Sequence, residues 1–75
     1  MELKASMRVR DLLKQVHQER RQVCIHLDGG AELVGMVVDV GEQNVVLSQL
    51  VSREHFDALV RLDDVSAVEV QVRGS

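Results

Sequence analysis

The chain has 75 residues and a mass of 8.4 kDa, which predicts one small domain. Its 45% hydrophobic and 28% charged residues are typical of a globular protein and exclude a disordered one. The net charge of −3 is unevenly divided. Residues 1–22 hold six lysines and arginines against three carboxylates, whereas residues 23–75 hold three arginines against nine carboxylates. A basic segment of this kind can dock nucleic acid locally, or it can simply be a solvated helix face.

Several classes of protein are disfavoured by what the sequence lacks. No apolar run approaches the roughly 18 residues of a membrane span, and no signal-peptide core is present, so we expect a cytoplasmic protein without a membrane partner. Cys24 is the one cysteine, which excludes an internal disulfide and a multi-cysteine zinc site. Phe56 is the one aromatic residue, which excludes a base-stacking platform within one chain.

The first predicted element is a helix over about residues 7–20. Its apolar residues follow the 3.6-residue period of a single stripe, and they are Val9, Leu12, Leu13 and Val16. Ser6 is placed to cap the start. A stripe of four apolar residues does not stabilise an isolated helix in water, so we expect it to pack on another element.

From residue 22 onward the apolar period changes to two, which indicates strands. We expect strands over about residues 22–28, 31–40, 44–50, 55–62 and 66–72. Asp28-Gly29-Gly30 predicts a tight turn, and Gly35 predicts a bend or bulge in the second strand. Asp63-Asp64 predicts a short turn, and residues 73–75 are expected to fray. Helix and strands together predict an α+β, mostly β domain, built as a strongly bent five-stranded antiparallel barrel with an N-terminal helix.

This pattern resembles the Sm/LSm superfamily, and most of all its bacterial Hfq branch. Residues 23–47 lie without gaps on the Hfq pattern of strands one to three, with Gly30, Leu33 and Gly35 at the turn and bend positions. Val60-Arg-Leu-Asp-Asp-Val65 is similar to the Sm2 motif, with Leu62 in place of its glycine. The resemblance covers about residues 7–72 and implies an SH3-like barrel.

The resemblance also implies a homo-oligomeric ring of five to eight copies, in which strand four of one subunit pairs with strand five of the next. The sequence independently indicates self-association, because the last strand has one strongly apolar face and the chain contains no proline to protect an edge. The expected interface residues are Val60, Leu62, Val68 and Val70.

An RNA site is implied at several positions, although many family residues are replaced. His26, Glu32, Val34 and Glu42 occupy the adenine-reading positions of Hfq, where Glu32 replaces a lysine, and Gln43 and Leu62-Asp63 occupy pore positions. Residues 17–21 resemble the arginine-rich Hfq rim, although these cations can also merely complement the helix dipole. The candidate RNA-contacting residues are Arg20, Arg21, His17, Arg10, Lys14, Gln43 and Arg61.

Two functions remain open. The first is an RNA-associated ring, and the second is an oligomeric scaffold or protein-interaction module without nucleic-acid binding. We expect no catalytic residue, cofactor or small-molecule substrate. We also expect no metal site, because His17, His26 and His55 fall on different elements, and Cys24 with His26 supplies two donors on one strand.

Overall fold

One helix precedes five strands in the computed structural model, which describes residues 1–72; the expected frayed end at 73–75 lies outside the described residues. The elements are α1 Val9–Glu19, β1 Gln22–Leu27, β2 Glu32–Val40, β3 Asn44–Ser48, β4 Ala58–Arg61, a 3₁₀ helix Leu62–Asp64 and β5 Val65–Val70. Among the described residues, no helix combines the length and the apolar character needed to cross a bilayer.

The helix α1 buries the predicted stripe apart from its first member. Leu12, Leu13 and Val16 are buried, whereas Val9, the first helical residue, is 40% exposed. The helix starts two residues later than expected, after Arg8, and no side chain caps this end. The prediction that Ser6 caps the helix is therefore wrong.

The five strands form one antiparallel sheet in the order β4-β3-β2-β1-β5. The mostly β architecture with an N-terminal helix is confirmed. The sheet is not closed within the chain, because β4 and β5 lie at its two edges and do not pair with each other among residues 1–72. Two edge strands of one sheet thus remain open.

The connections around β2 shape the sheet. The β1–β2 turn closes as expected, with the Leu27 N–H donating to the Ala31 carbonyl at 2.8 Å. Gly35 is buried, and a Cβ at this position would lie 2.7 Å from the Ser48 carbonyl oxygen. The irregularity in strand pairing lies further along, between Val37 and Asp39. Gly35 therefore permits close approach of two backbones, while the bulge follows it.

The third and fourth strands are shorter than expected. Residues 49–57 instead form a loop of turns and bends with an isolated bridge between Leu50 and Arg53, and two of these residues, Gln49 and Ser52, have positive φ angles. Phe56 is 63% exposed, so its alternation with neighbouring polar residues does not reflect burial. The Asp63-Asp64 pair lies in the 3₁₀ helix that joins β4 to β5.

The core lies between α1 and one face of the sheet, with α1 placed mainly against β2 and also in contact with β5. Its fully buried side chains are Leu13, Ile25, Leu47, Val16, Val23 and Val45. Alternate β1 residues point into this core, so the intervening residues of β1 belong to the opposite face of the sheet. We call this opposite side the outer face.

Candidate functional site

The candidate cations at the end of α1 differ in how far they are engaged. Arg20 ends the helix in the left-handed conformation, with φ 54° and ψ 47°, and is exposed. Within residues 1–72 no hydrogen bond or ion pair holds its guanidinium. Arg21 instead donates to Glu19 Oε1 at 2.7 Å and to the Gln71 carbonyl at 3.1 Å. His17 Nδ1 lies 2.9 Å from the Val37 carbonyl oxygen. Arg20 is therefore the cation of this group that solvent reaches most freely.

Glu19 offsets much of the local positive charge. Its hydrogen bond with Arg21, together with a second from Gln15, lowers the pKa of the Glu19 carboxyl below its ordinary value. Glu19 is consequently ionised at neutral pH and pairs with Arg21. An anion that approaches Arg21 must compete with this carboxylate.

A second group of candidates meets at the other end of α1, around the β2–β3 turn. Arg10 donates to the Gly41 carbonyl at 2.7 Å and lies 3.5 Å from the Glu42 carboxylate. The Gln43 carbonyl accepts a hydrogen bond from the Leu62 N–H at 2.8 Å, which places Gln43 beside the end of β4 and Arg61. The structure therefore brings Arg10, Gln43 and Arg61 into one neighbourhood.

The two groups do not form one continuous site within the chain. They lie at opposite ends of an 11-residue helix, a separation of about 16 Å at 1.5 Å per residue. Lys14 lies between them and is exposed. Of the seven candidates, the basic side chains without a hydrogen bond or ion pair in the described part of the chain are those of Lys14, Arg20 and Arg61.

The expected interface residues lie on or next to the two edge strands, but they are not equally accessible. Val60 is 5% exposed and belongs to the core of its own chain, so β4 offers its backbone there and not this side chain. Leu62, Val68 and Val70 are partly buried against the core. The accessible apolar residue of β4 is Leu59, which is 70% exposed and was missed from the sequence.

A cluster of donor groups on the outer face was also missed. Cys24 and His26 lie on β1, and the strand register pairs Cys24 with Glu69 of β5 and His26 with Glu32 of β2. One donor atom from each of the four side chains lies within 4.8 Å of the others. The expectation of no metal site counted two donors on β1, whereas the sheet supplies two more from its neighbours. We call these four residues the donor cluster.

The two carboxylates of the donor cluster affect the pKa values of His26 and Cys24. His26 Nε2 is hydrogen-bonded to Glu69, and Nδ1 lies 3.3 Å from Glu32 Oε2. The hydrogen bond to Glu69 raises the pKa of His26. Burial, together with the charges of both carboxylates, raises the pKa of the Cys24 thiol. Both shifts favour the protonated forms of His26 and Cys24.

Comparison with known proteins does not assign the chain to a family. No protein-family model matches it, and no curated protein matches its sequence. The features that bear on its function are therefore the open strands, the helix cations and the donor cluster.

Proposed function

We propose that this chain is the subunit of an Sm-like ring that contacts RNA through the cations of its helix. The observation that carries the proposal is the strand order, which leaves β4 and β5 at opposite edges of one antiparallel sheet. In the Sm-like arrangement these two strands pair between neighbouring subunits. The finer features of the proposal, a bent SH3-like barrel and a closed ring, follow from the same resemblance.

Pairing between copies gives hydrogen-bond partners to the backbone groups of the two edge strands. An edge strand presents unpaired N–H and C=O groups, and natural proteins protect such groups from unwanted association. Here β4 carries the 70% exposed Leu59, and the chain has no proline to block a backbone ladder. Because β4 and β5 are different surfaces, their pairing is head-to-tail, and a head-to-tail contact removes every edge when it closes into a ring.

The helix supplies the proposed RNA contacts. Arg20 and Lys14 belong to the basic segment, and each is exposed without a described partner. A ring repeats these cations once per subunit, so that one RNA backbone can contact several of them. Arg61 adds a cation at the end of β4. Contacts of this type depend on counterion release and weaken steeply as salt rises.

A second candidate function is a scaffold ring that binds protein or only itself. It is favoured by the internal use of two predicted RNA contacts, since Arg10 binds the Gly41 carbonyl and Arg21 binds Glu19. The outer face adds the carboxylates of Glu32 and Glu69, which repel a phosphate backbone. A scaffold requires the open edges but not the free helix cations.

Fluorescence anisotropy with short A-rich and U-rich RNAs distinguishes the two functions. The RNA-associated ring predicts binding at 50 mM salt that weakens sharply at 200 mM. Arg20→Ala should reduce the affinity at low salt. Arg53→Ala is the matched control, because Arg53 is exposed but lies in the 49–57 turn segment. Absence of binding at 50 mM salt, or equal effects of the two substitutions, would favour the scaffold.

Assembly is tested separately by light scattering on edge variants. Leu59→Glu places a charge on β4, where it should lower the assembled mass without disturbing the core. Val38→Glu is the control, because Val38 is 46% exposed on β2, a strand already paired on both sides. Loss of assembly in both variants would mean that edge pairing is not the cause.

A further inference from the structure

We propose that the donor cluster is a binding site for one divalent transition-metal ion, with zinc as the expected ion. In this site Cys24, His26 and Glu69 bind the ion directly, and Glu32 orients the imidazole of His26. All four residues come from a single chain. The site therefore does not depend on ring formation or on RNA binding, and it can be tested without either.

The spacing of the donors agrees with a tetrahedral ion. Zinc binds nitrogen and oxygen at about 2.0–2.2 Å and sulfur at about 2.3 Å, so neighbouring ligands lie about 3.3–3.8 Å apart. The Cys24 Sγ lies 3.6 Å from His26 Nε2, and the whole set lies within 4.8 Å. A small rotation of the exposed Glu69 side chain, with a water molecule as the fourth ligand, completes the tetrahedron.

Histidine offers its two nitrogens to different partners, which assigns the roles of the carboxylates. Nε2 faces the Cys24 sulfur and Glu69, whereas Nδ1 lies 3.3 Å from Glu32. A metal-binding histidine ordinarily donates its other N–H to a carboxylate or carbonyl, which fixes the ring. Glu32 is in that position. The ion takes the place of the hydrogen bond between Nε2 and Glu69.

The donor chemistry selects the class of ion. A thiolate, an imidazole and a carboxylate together suit zinc and similar transition metals, whereas Mg²⁺ and Ca²⁺ prefer oxygen ligands. On binding, the Cys24 thiol loses its proton to solvent, and His26 binds the ion through an unprotonated Nε2. The thiolate and the Glu69 carboxylate then balance the two positive charges of the ion. Without the ion, burial and the same two carboxylates disfavour the thiolate and raise the pKa of the Cys24 thiol.

The site is accessible and rests on paired strands. His26 and Glu69 side chains are 29% and 69% exposed, so an ion can enter from solvent. Cys24 is half-buried, which shields its sulfur. Strand pairing fixes the register of all four residues, because Cys24 lies opposite Glu69 and His26 lies opposite Glu32. No mobile loop has to close around the ion.

Titration of the reduced, chelator-treated chain with Co²⁺ tests the proposal. We expect one equivalent to bind per chain, with the charge-transfer band of a cobalt–thiolate bond and the visible bands of tetrahedral cobalt. Zn²⁺ should displace the cobalt, and excess Mg²⁺ or Ca²⁺ should not. One ion per two chains, or no uptake by the folded chain, would overturn the proposal.

Substitutions test the individual roles. Cys24→Ser should abolish the charge-transfer band, and Glu69→Gln should weaken Co²⁺ binding at least about tenfold. Glu32→Gln should retain the band while weakening binding by about 10- to 100-fold, as expected for a group that orients a ligand. His55→Gln is the control, because His55 is exposed and lies outside the cluster. Circular dichroism verifies folding of each variant, and a band that persists in Cys24→Ser refutes the site.

Discussion

Replacing Arg20 by glycine separates the proposed RNA contact from the stability of the helix end. Arg20 has φ 54°, in the left-handed region that costs a side-chain-bearing residue about 1–2 kcal/mol. Glycine removes this cost, but its greater backbone entropy stabilises the unfolded chain by about 0.4–1 kcal/mol. Arg20→Gly should therefore stabilise the fold by about 0.5–1 kcal/mol net. For a domain of this size, that raises Tm by a few degrees, at roughly 4–8 °C per kcal/mol.

The same substitution should weaken RNA binding. If each lost phosphate contact is worth about 1 kcal/mol at low salt, Kd rises about fivefold for every subunit that touches the RNA. Thermal unfolding and RNA anisotropy are measured on the same preparations. Arg20→Ala should lose the affinity without gaining stability, because alanine keeps the strained conformation.

Gln49→Gly is the matched control for the strain. Gln49 is exposed, has φ 49° and lies away from the helix, so its replacement should raise stability and leave RNA affinity unchanged. The reasoning is refuted if Arg20→Gly binds RNA as tightly as the unaltered chain. It is also refuted if Arg20→Gly and Arg20→Ala have the same stability.

Four other substitutions test contacts elsewhere in the molecule. Glu19→Gln removes the negative charge beside Arg21 and should strengthen RNA binding at 50 mM salt in anisotropy; unchanged binding would remove Arg21 from the interface. Gly35→Ala should cost about 1–3 kcal/mol in chemical denaturation, because its Cβ would lie 2.7 Å from a backbone oxygen. Gly41→Ala is the control, because its Cβ would lie 3.4 Å from the nearest atom, and it should change stability by less than about 1 kcal/mol. Equal losses of stability in Gly35→Ala and Gly41→Ala would contradict the close approach of the two backbones at Gly35. The raised pKa of His26 means that its protonated form stabilises the fold fully below pH 6.5, and that this contribution is lost as pH rises through the raised pKa. Chelator-treated protein should therefore lose more stability above pH 6.5 than His26→Gln does, and parallel pH profiles would argue against the ion pair.

Much of the fold was predictable because local patterns determine it. The apolar stripe of Leu12, Leu13 and Val16 marks the buried face of the helix, and the alternation of β1 separates its core residues from its outer ones. The fourth strand was predicted to begin at about residue 55 for the same reason, since that prediction also followed a local pattern. Alternation around Phe56 imitates a strand, but its exposed ring gives no packing energy to hold one.

The donor cluster was only half visible in the sequence. The tight turn after β1 places Glu32 opposite His26, so a register argument from that turn could have found this residue. Glu69 is 43 residues from His26 in the chain, and its position depends on the pairing of β1 with β5. A contact of that range is not determined by local periodicity.

The helix cations show a similar limit. Their charge and their position at the helix end are evident from the sequence, but their engagement is not. Arg10 and Arg21 donate to backbone carbonyls at Gly41 and Gln71, groups that any residue type can offer. Sequence alone therefore cannot separate these arginines from Arg20.

Native mass spectrometry of the full chain tests the central claim most directly, namely that β4 of one copy pairs with β5 of the next. Head-to-tail pairing that closes predicts one dominant species whose mass is a fixed integer multiple of 8.4 kDa, unchanged as protein concentration rises. A dominant species of 8.4 kDa at every concentration would contradict edge pairing between copies.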